Sequence, residues 1–470
     1  MNFKSISFYL SLFCFPISIL AFINILYASY FDYLLSIETY FTALIFSLFI
    51  GGGLWYYGKN ASKNIDFIEQ LILIVSAYCL TSILIAIPFY LSNYQVTFIN
   101  SVFESVSGLT GTGFSIFKNI KYLDPTLILW RSSSQWIGGL FFLLILTIIF
   151  SNKSFNFKMT NLAFSGESNF KSEENIKDNI LKVFIIYSSL SLIILTLLSF
   201  SGLRLFNSLN MSMTLISGGG FIPTDTINKI IYTNFQKLIF IFSLLLSMLN
   251  FYLLFNLFNK KILIREHKED LYLIVISVIF FILIYFNNYE GLDIVISVVS
   301  SLANSGLTLV KSDNNLSLYF LLLTIIGGSL ISNTSGIKLT RFYILLKITS
   351  LEIIKLISPN SVINKTIFNS DKKITDENVK ISFLIFISFF LSLFILSSLL
   401  VIDNIGFEKS FKLSILTLTN TVNSEMFNMK NVNFSNLLTS SKISLILFMI
   451  IGKIELISIF LIFKKILFRD

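Results

Sequence analysis

Apolar segments long enough to cross a lipid bilayer recur from one end of this sequence to the other. A helix needs about 20 residues to span the hydrocarbon layer. Runs of roughly that length or longer lie at residues 6–28, 39–57, 67–91, 126–150, 179–202, 230–258, 271–286, 381–401 and 443–468. Lipid offers no partners to the backbone, so only helices or closed barrels can span it. Because 54% of the residues are hydrophobic and 13% are charged, we predict an all-α polytopic membrane protein.

A short stretch rich in hydroxyl groups and glycine, Leu109–Ser115, lies between two of these runs. The apolar segment before it, residues 98–109, is too short to cross, so it would enter the membrane and return. Gly111 and Gly113 reach positive φ at little cost, and backbone carbonyls turned one way can replace the water around a monovalent cation. The alternative is a flexible loop outside the membrane.

The order of spanning helix, short helix, loop and spanning helix occurs four times, which is typical of internal repeats. The further short segments are residues 205–216, 292–302 and 407–418. We predict ion binding by Thr110, Gly111, Thr112, Gly113, Ser217, Gly218, Gly219, Gly220, Ala303, Asn304, Ser305, Gly306, Thr419, Asn420, Thr421 and Val422. Four short helices would aim their partly negative carboxyl ends at one cavity.

The repeats therefore predict four pseudo-repeated helix–pore helix–filter loop–helix units around one central pore. The predicted units are residues 67–178, 179–270, 271–378 and 379–470, preceded by two extra N-terminal transmembrane helices in residues 1–66.

Basic residues are concentrated in short connections such as 59–63, 260–268 and 464–469. Because basic flanks face the cytoplasm, the net charge of +9 indicates membrane orientation and not nucleic acid. The polar stretch 151–179 is predicted to be cytoplasmic for the same reason. Cys14 and Cys79 lie in apolar runs and are predicted to pack in the core, and His267 stands in a charged loop without the companions of a metal site. No nucleotide-binding fingerprint is present, so any control by nucleotide would need another chain.

Several strings resemble those of the Trk, Ktr and HKT superfamily of potassium transporters, most closely its bacterial Trk type. Phe103–Gly113 is similar to the first pore segment and filter, and Leu129–Ser132 with Gln135–Gly139 to the start of the next helix. Ser217–Phe221 resembles the second filter, Ser305–Thr308 the third, and Ile450–Glu455 a motif of the last helix. The resemblance covers essentially the whole chain.

This resemblance implies a potassium-translocating subunit of the bacterial inner membrane, with both termini cytoplasmic. It implies a homodimer regulated by a cytosolic nucleotide-binding subunit of the TrkA type. Potassium would be the transported ion at the filter, with no covalently bound cofactor and no nucleic-acid partner. The chain would be a channel-like or coupled transporter and not an enzyme.

The third unit carries a polar interruption that the resemblance identifies as an intramembrane gating loop. It contains Gly327, Gly328, Ser332, Asn333, Thr334, Ser335 and Gly336. The alternative is a small-residue face for helix packing.

Lys453 lies in the last apolar run, where a charge costs about 2.5–3.5 kcal/mol. The resemblance places this basic residue in the cavity beneath the filter, where it would slow leakage; the alternatives are pairing with Glu455 and snorkelling to the cytoplasmic face.

Two loops depart from the pattern of the family. Val422 stands where the fourth loop should offer glycine, and β-branched valine disfavours positive φ. The third loop carries the pair Asn304-Ser305 at a place where hydroxyl residues are more usual. The alternative function is therefore conduction of sodium, or poorly selective conduction of monovalent cations, since selectivity depends on the coordinating carbonyls.

Other classes of function find little support in the sequence. A membrane enzyme acting on lipid-linked substrates needs a catalytic cluster, whereas the outer loops carry scattered carboxylates such as Asp124, Asp225 and Asp313. A receptor or purely structural role would leave the costly intramembrane loops and the buried lysine without a purpose.

Overall fold

The computed structural model describes residues 2–61, 65, 67–150, 176–251, 253–254, 268–286, 290–310, 314–358, 365–368, 373–429 and 432–454. Within these ranges the fold is helical, with one isolated β-bridge between Thr366 and Lys373. The helices are α1 (Phe3–Tyr30), α2 (Leu34–Gly58), α3 (Phe67–Leu91), α4 (Phe98–Thr110), α5 (Pro125–Phe150), α6 (Ile176–Phe200), α7 (Leu205–Ile216), α8 (Asn234–Met248), α9 (Lys268–Tyr285), α10 (Gly291–Leu302), α11 (Asn314–Ile326), α12 (Leu339–Ile357), α13 (Asp376–Ile402), α14 (Phe407–Leu418) and α15 (Thr439–Ile454).

Five helices in the described part of the chain are long and apolar enough to cross a membrane. They are Phe3–Tyr30, Ser36–Gly58, Ile68–Leu91, Ile180–Phe200 and Asp376–Ile402. Many large apolar side chains on their outer faces are exposed, among them Phe41, Phe49 and Leu391, which suits contact with lipid tails. The prediction of an all-α polytopic membrane protein is confirmed.

The four short helices α4, α7, α10 and α14 lie inside the bundle formed by the longer ones. Their carboxyl-terminal halves are buried, as in α4, where Phe103 to Thr110 are inaccessible to solvent. The amino-terminal pair packs closely, because a Cβ atom placed on Gly58 of α2 would lie 2.5 Å from the backbone nitrogen of Phe8 in α1. The short helices thus deliver the loops that follow them to the interior.

The second unit contains a break that the sequence did not predict. In place of one span over residues 230–258, α8 begins at Asn234, where Thr233 and Gln236 form a capping box, and it ends at Met248. Leu249 is extended, with φ −72° and ψ 160°. Apolar composition alone cannot report this break, because Leu249 and Phe251 are as apolar as the residues of a spanning helix.

Smaller differences have local causes. The predicted span 381–401 begins earlier, at Asp376, because the hydroxyl of Thr375 accepts the backbone N–H of Asn378 at the start of the helix. Cys14 is buried as predicted, but Cys79 is exposed, so its assignment to the core is wrong.

Several sequence-based predictions fall outside the described residues. These are the basic connections 62–64, 260–267 and 464–469, the polar stretch 151–175, the end of the last apolar run beyond residue 454, and the assignments of His267, Asp313 and Glu455.

Candidate ion-binding site

Each of the four short helices ends in the same way. The first residue after the helix or its cap has a left-handed backbone, and its N–H bonds the carbonyl three residues earlier, which satisfies the helix end. These residues are Gly111 (φ 82°), Gly218 (φ 67°), Asn304 (φ 56°) and Asn420 (φ 50°), bonded to Gly108, Leu215, Ser301 and Thr417. Asparagine is among the few residues besides glycine that adopt this conformation readily. The departures in the third and fourth loops therefore preserve the turn.

The loops contact one another in cyclic order. We name them loop 1 (residues 110–113), loop 2 (217–220), loop 3 (303–306) and loop 4 (419–422). A Cβ atom placed on Gly111 would lie 3.9 Å from the Cα atom of Gly219 in loop 2, and one on Gly218 would lie 3.2 Å from the carbonyl oxygen of Ala303 in loop 3. The side-chain amide of Asn304 donates to the hydroxyl of Thr421 over 3.3 Å, and that of Asn420 to the hydroxyl of Thr112 over 2.9 Å. All sixteen predicted loop residues thus belong to four turns that meet in the interior, whereas ion binding by them stays a prediction.

The fourth position of each loop corrects the argument about Val422. Gly113 and Gly306 are left-handed, with φ of 79° and 69°, whereas neither Gly220 nor Val422 has positive φ. Val422 therefore lies outside the left-handed region, as Gly220 does, and the expectation that its position calls for positive φ is wrong. Its side chain is what differs, because a Cβ atom on Gly220 would lie 2.4 Å from Cβ of Val422.

The fourth positions line a cavity of about 730 Å³, which also borders Lys118, Asp225 and Glu425. Partial burial opposes ionisation of Asp225, but hydrogen bonds from Lys229 and from the backbone of Lys121 hold its pKa below the usual value. Asp225 is thus a stable negative charge at the wall of this cavity.

A buried ion pair holds loop 1 from behind. Nε of Arg131 on α5 lies 2.8 Å from a carboxylate oxygen of Glu104 on α4. The carboxylate also accepts the hydroxyl of Ser115 and the N–H of Ile116, just beyond loop 1. The guanidinium lies 4.1 Å from the ring centre of Phe221, beyond loop 2. The pair was part of the strings that carry the resemblance, but the sequence did not show that its two members meet.

The polar interruption of the third unit is non-helical from Gly327 to Lys338, so the alternative of a helix-packing face is wrong. We call residues 327–336 the inner loop. Its backbone bonds to the break after α8: the N–H of Ser329 donates to the carbonyl of Met248 over 3.0 Å, and the N–H of Phe251 to the carbonyl of Ile331 over 2.7 Å. The two interruptions therefore satisfy each other's backbone groups, as burial in a membrane requires.

Left-handed glycines close the ends of the inner loop. A Cβ atom on Gly327 would lie 2.4 Å from the carbonyl oxygen of Ser335, and one on Gly336 would lie 2.9 Å from the carbonyl oxygen of Thr324. Among the other predicted gating residues, Gly328 approaches the carbonyl of Met248, and the hydroxyls of Ser332 and Thr334 lie 2.7 Å apart.

Lys338, which sequence analysis missed, organises the same loop. Its ammonium group is buried and contacts four oxygens: the carbonyl and hydroxyl of Ser332 at 3.3 and 3.2 Å, and those of Thr334 at 2.5 and 2.9 Å. Glu269 at the start of α9 accepts the N–H groups of Leu330 and Thr340. The loop thus folds around a cation that the chain itself supplies.

Lys453 contacts the inner loop from α15. It is buried, its ammonium donates to the carbonyl of Asn333 over 2.7 Å, and it lies 4.9 Å from the ring centre of Phe142. Burial excludes snorkelling toward the cytoplasmic face. Its role in gating stays a prediction.

Comparison with known proteins identifies the family to which the chain belongs. Residues 36–288 match the model of the TrkH family, described as cation transport protein. The chain belongs to this family. The predicted resemblance is thereby confirmed, and TrkH family membership makes the chain a transporter and not an enzyme.

Relatives and a solved structure extend over nearly the full length. The chain is 27% identical to a cation transporter of Methanocaldococcus jannaschii, over 91% of this chain and 88% of the relative. It is 25% identical to the Trk system potassium uptake protein TrkG of Escherichia coli, over 93% and 92%. The crystal structure of the potassium transporter TrkH from Vibrio parahaemolyticus matches with a TM-score of 0.88 at 20% identity and covers 98% of both chains, which establishes the fold.

Proposed function

We propose that the protein takes up potassium across the bacterial inner membrane as the ion-translocating subunit of a Trk-type system. The observation that carries this proposal is that loops 1 to 4 follow four equivalent helix ends and contact one another in cyclic order. Such a ring can exchange the hydration water of potassium for peptide oxygens. Potassium is then the transported cargo, bound by the loop backbone, and the four repeats surround one pore.

The test is expression in cells that lack their own potassium uptake, followed by measurement of growth at low potassium and of rubidium influx. Arg131→Met, which breaks the buried ion pair with Glu104, serves as an inactive comparison once its amount in the membrane has been matched to that of the unaltered protein. Absence of both rescue and rubidium influx in the unaltered protein would contradict the proposal.

The second candidate is conduction of sodium, or of both ions, and the side chain of Val422 favours it. Cγ1 of Val422 lies 2.9 Å from a Cβ atom placed on Gly306 in loop 3 and 2.8 Å from one placed on Gly220 in loop 2, so its side chain occupies space beside both of these loops. A side chain there narrows the ring at the level of the fourth positions and limits the number of carbonyls that can coordinate the ion.

Val422→Gly separates the two candidates. If the valine weakens selectivity, the substitution raises the potassium-to-sodium permeability ratio measured in proteoliposomes. Val432→Gly, at another valine lining the same cavity, is the control. An unchanged ratio in Val422→Gly would show that the valine does not set selectivity.

Within this proposal the inner loop and Lys453 form the gate. A cation moving inward passes the ring first and then meets the inner loop and Lys453. The bond from Lys453 to Asn333 supports the assignment, because it holds a positive charge against the loop. We further propose a homodimer with cytoplasmic termini and a TrkA-like nucleotide-binding partner. Cross-linking in native membranes and co-purification with such a subunit test these two assemblies.

A further inference from the structure

Asn420 connects four parts of the protein through one side chain. It is 3% exposed. Its amide nitrogen donates to the hydroxyl of Thr112 in loop 1 and to the carbonyl of Met449 in α15, both over 2.9 Å. Its amide oxygen accepts the hydroxyl of Ser335 in the inner loop, also over 2.9 Å. Both amide hydrogens and the oxygen are therefore engaged.

Asn304, at the equivalent position of loop 3, makes only part of this pattern. Its amide nitrogen donates to the hydroxyl of Thr421 and to the carbonyl of Thr324 in α11. Its oxygen has no hydrogen-bond partner among the described residues. The two asparagines therefore share the bonds to the next loop and to the outer helix of their own unit, and they differ in the bond to the inner loop.

A second contact joins the inner loop to the fourth unit. Lys453 lies one helical turn after Met449, the residue that Asn420 bonds, and its ammonium holds the carbonyl of Asn333. Movement of the inner loop away from the ring would break the bonds of Ser335 and Asn333 to this unit. Asn420 would then lose one of three bonds, and Thr112 would lose a fixed neighbour.

We propose that Asn420 is a positioning residue that couples the occupancy of loops 1 to 4 by an ion to the position of the inner loop. The inference rests on the proposed function, which supplies the ion and the gate. Coupling of this kind is reciprocal: an ion that orders Thr112 and loop 4 holds the inner loop, and displacement of the inner loop weakens ion binding. Such couplings are typically about 5- to 150-fold in affinity.

Glycine is the informative replacement. Gly111 and Gly218 occupy the equivalent positions of loops 1 and 2 with left-handed backbones, so Asn420→Gly keeps the turn and removes the side chain. Asn304→Gly is the matched control, because it makes the same change without removing a hydrogen bond to the inner loop. Ser335→Ala removes the inner-loop end of the bond alone.

The first experiment measures potassium affinity and rubidium flux in proteoliposomes for the three single variants and for the double variants Asn420→Gly/Ser335→Ala and Asn304→Gly/Ser335→Ala. We expect Asn420→Gly and Ser335→Ala each to change the potassium concentration that gives half-maximal flux by at least fivefold. The double variant Asn420→Gly/Ser335→Ala should show no larger change than Asn420→Gly alone. Asn304→Gly should alter the potassium dependence of flux by itself, because Asn304 belongs to the ring, but its effect should multiply with that of Ser335→Ala, because these two side chains are not hydrogen-bonded. Multiplicative effects of Asn420→Gly and Ser335→Ala would overturn the coupling, and so would non-multiplicative effects of Asn304→Gly and Ser335→Ala.

A second measurement does not depend on transport. Ile331 is buried in the inner loop, so a cysteine there, with Cys14 and Cys79 replaced by serine, reports exposure of the loop to a small maleimide. Potassium should slow labelling relative to choline in the Asn420 background and have no effect after Asn420→Gly. Labelling that ignores potassium in both backgrounds contradicts the coupling. If rubidium flux is absent but labelling responds to potassium, the proposed uptake fails and the coupling stands.

Discussion

Arg131 and Glu104 illustrate how much of the site depends on single side chains. Both are buried, at 1% and 0% exposure, and the carboxylate bonds two groups that fix the exit of loop 1. Removing one partner of a buried pair leaves an uncompensated charge and costs about 3–5 kcal/mol.

We therefore expect Arg131→Met to lower the unfolding temperature of the detergent-solubilised protein strongly. Glu104→Leu/Arg131→Met should lose less, because no charge is left unpaired. Thermal unfolding followed by tryptophan fluorescence gives both values. A double variant that is as unstable as Arg131→Met, or less stable, would exclude this account.

Lys338 is the second residue with a specific consequence. Hydrogen bonds to a charged group contribute about 1.5–3 kcal/mol, and its ammonium contacts four oxygens of Ser332 and Thr334. Lys338→Met should free the inner loop and raise rubidium leakage in the absence of any partner subunit by about tenfold or more. Lys355→Met is the control, since its pair with Glu352 is exposed and such pairs contribute little. Equal leakage in the two variants would show that Lys338 does not hold the loop.

At the scale of helices, close approach to the ends of the short helices is set by glycine. A Cβ atom on Gly138 of α5 would lie 1.9 Å from the carbonyl oxygen of Leu109, and one on Gly452 of α15 would lie 2.4 Å from that of Leu418. These contacts give a physical reason for the glycines in two of the strings that carry the family resemblance.

Gly138→Ala should destabilise the protein by about 1–3 kcal/mol through overpacking and displace loop 1. Gly53→Ala, on α2 with nothing within 4 Å of the added atom, should be neutral or stabilise by up to about 1 kcal/mol. Unfolding temperatures and rubidium flux measured on both variants provide the comparison. Equal stability of the two would contradict the packing argument.

Helix positions were largely predictable from the sequence, because apolar runs of spanning length leave the chain few alternatives in lipid. The four short helices and their loops were found for the same reason. The break after Met248 was not, since its backbone partners lie elsewhere in the chain, in the inner loop some 80 residues later and at Asp270, whose carboxylate accepts the N–H of Asn250. The contacts of Glu104 with Arg131 and of Asn420 with Ser335 likewise could not be predicted from the sequence, because no periodic pattern brings these residues together.

At the scale of the whole molecule, a ring that binds potassium should stabilise the folded protein. A ligand present at 100 times its dissociation constant contributes about 2.7 kcal/mol when it binds only the native state. We expect the unfolding temperature to be higher in potassium or rubidium chloride than in choline chloride of equal ionic strength. The sodium value then ranks the two candidate functions independently of transport. Identical temperatures in all four salts would speak against an ion site in the ring.

The four loops that meet in the interior belong to one polypeptide, and this has an evolutionary consequence. In a symmetric assembly of identical subunits, every mutation of the central ring appears four times at once, so each step is large. Here a gene can alter one quadrant and leave three intact, as the valine of loop 4 and the two left-handed asparagines illustrate. Adaptation to a new ionic habitat can therefore proceed by single, graded substitutions.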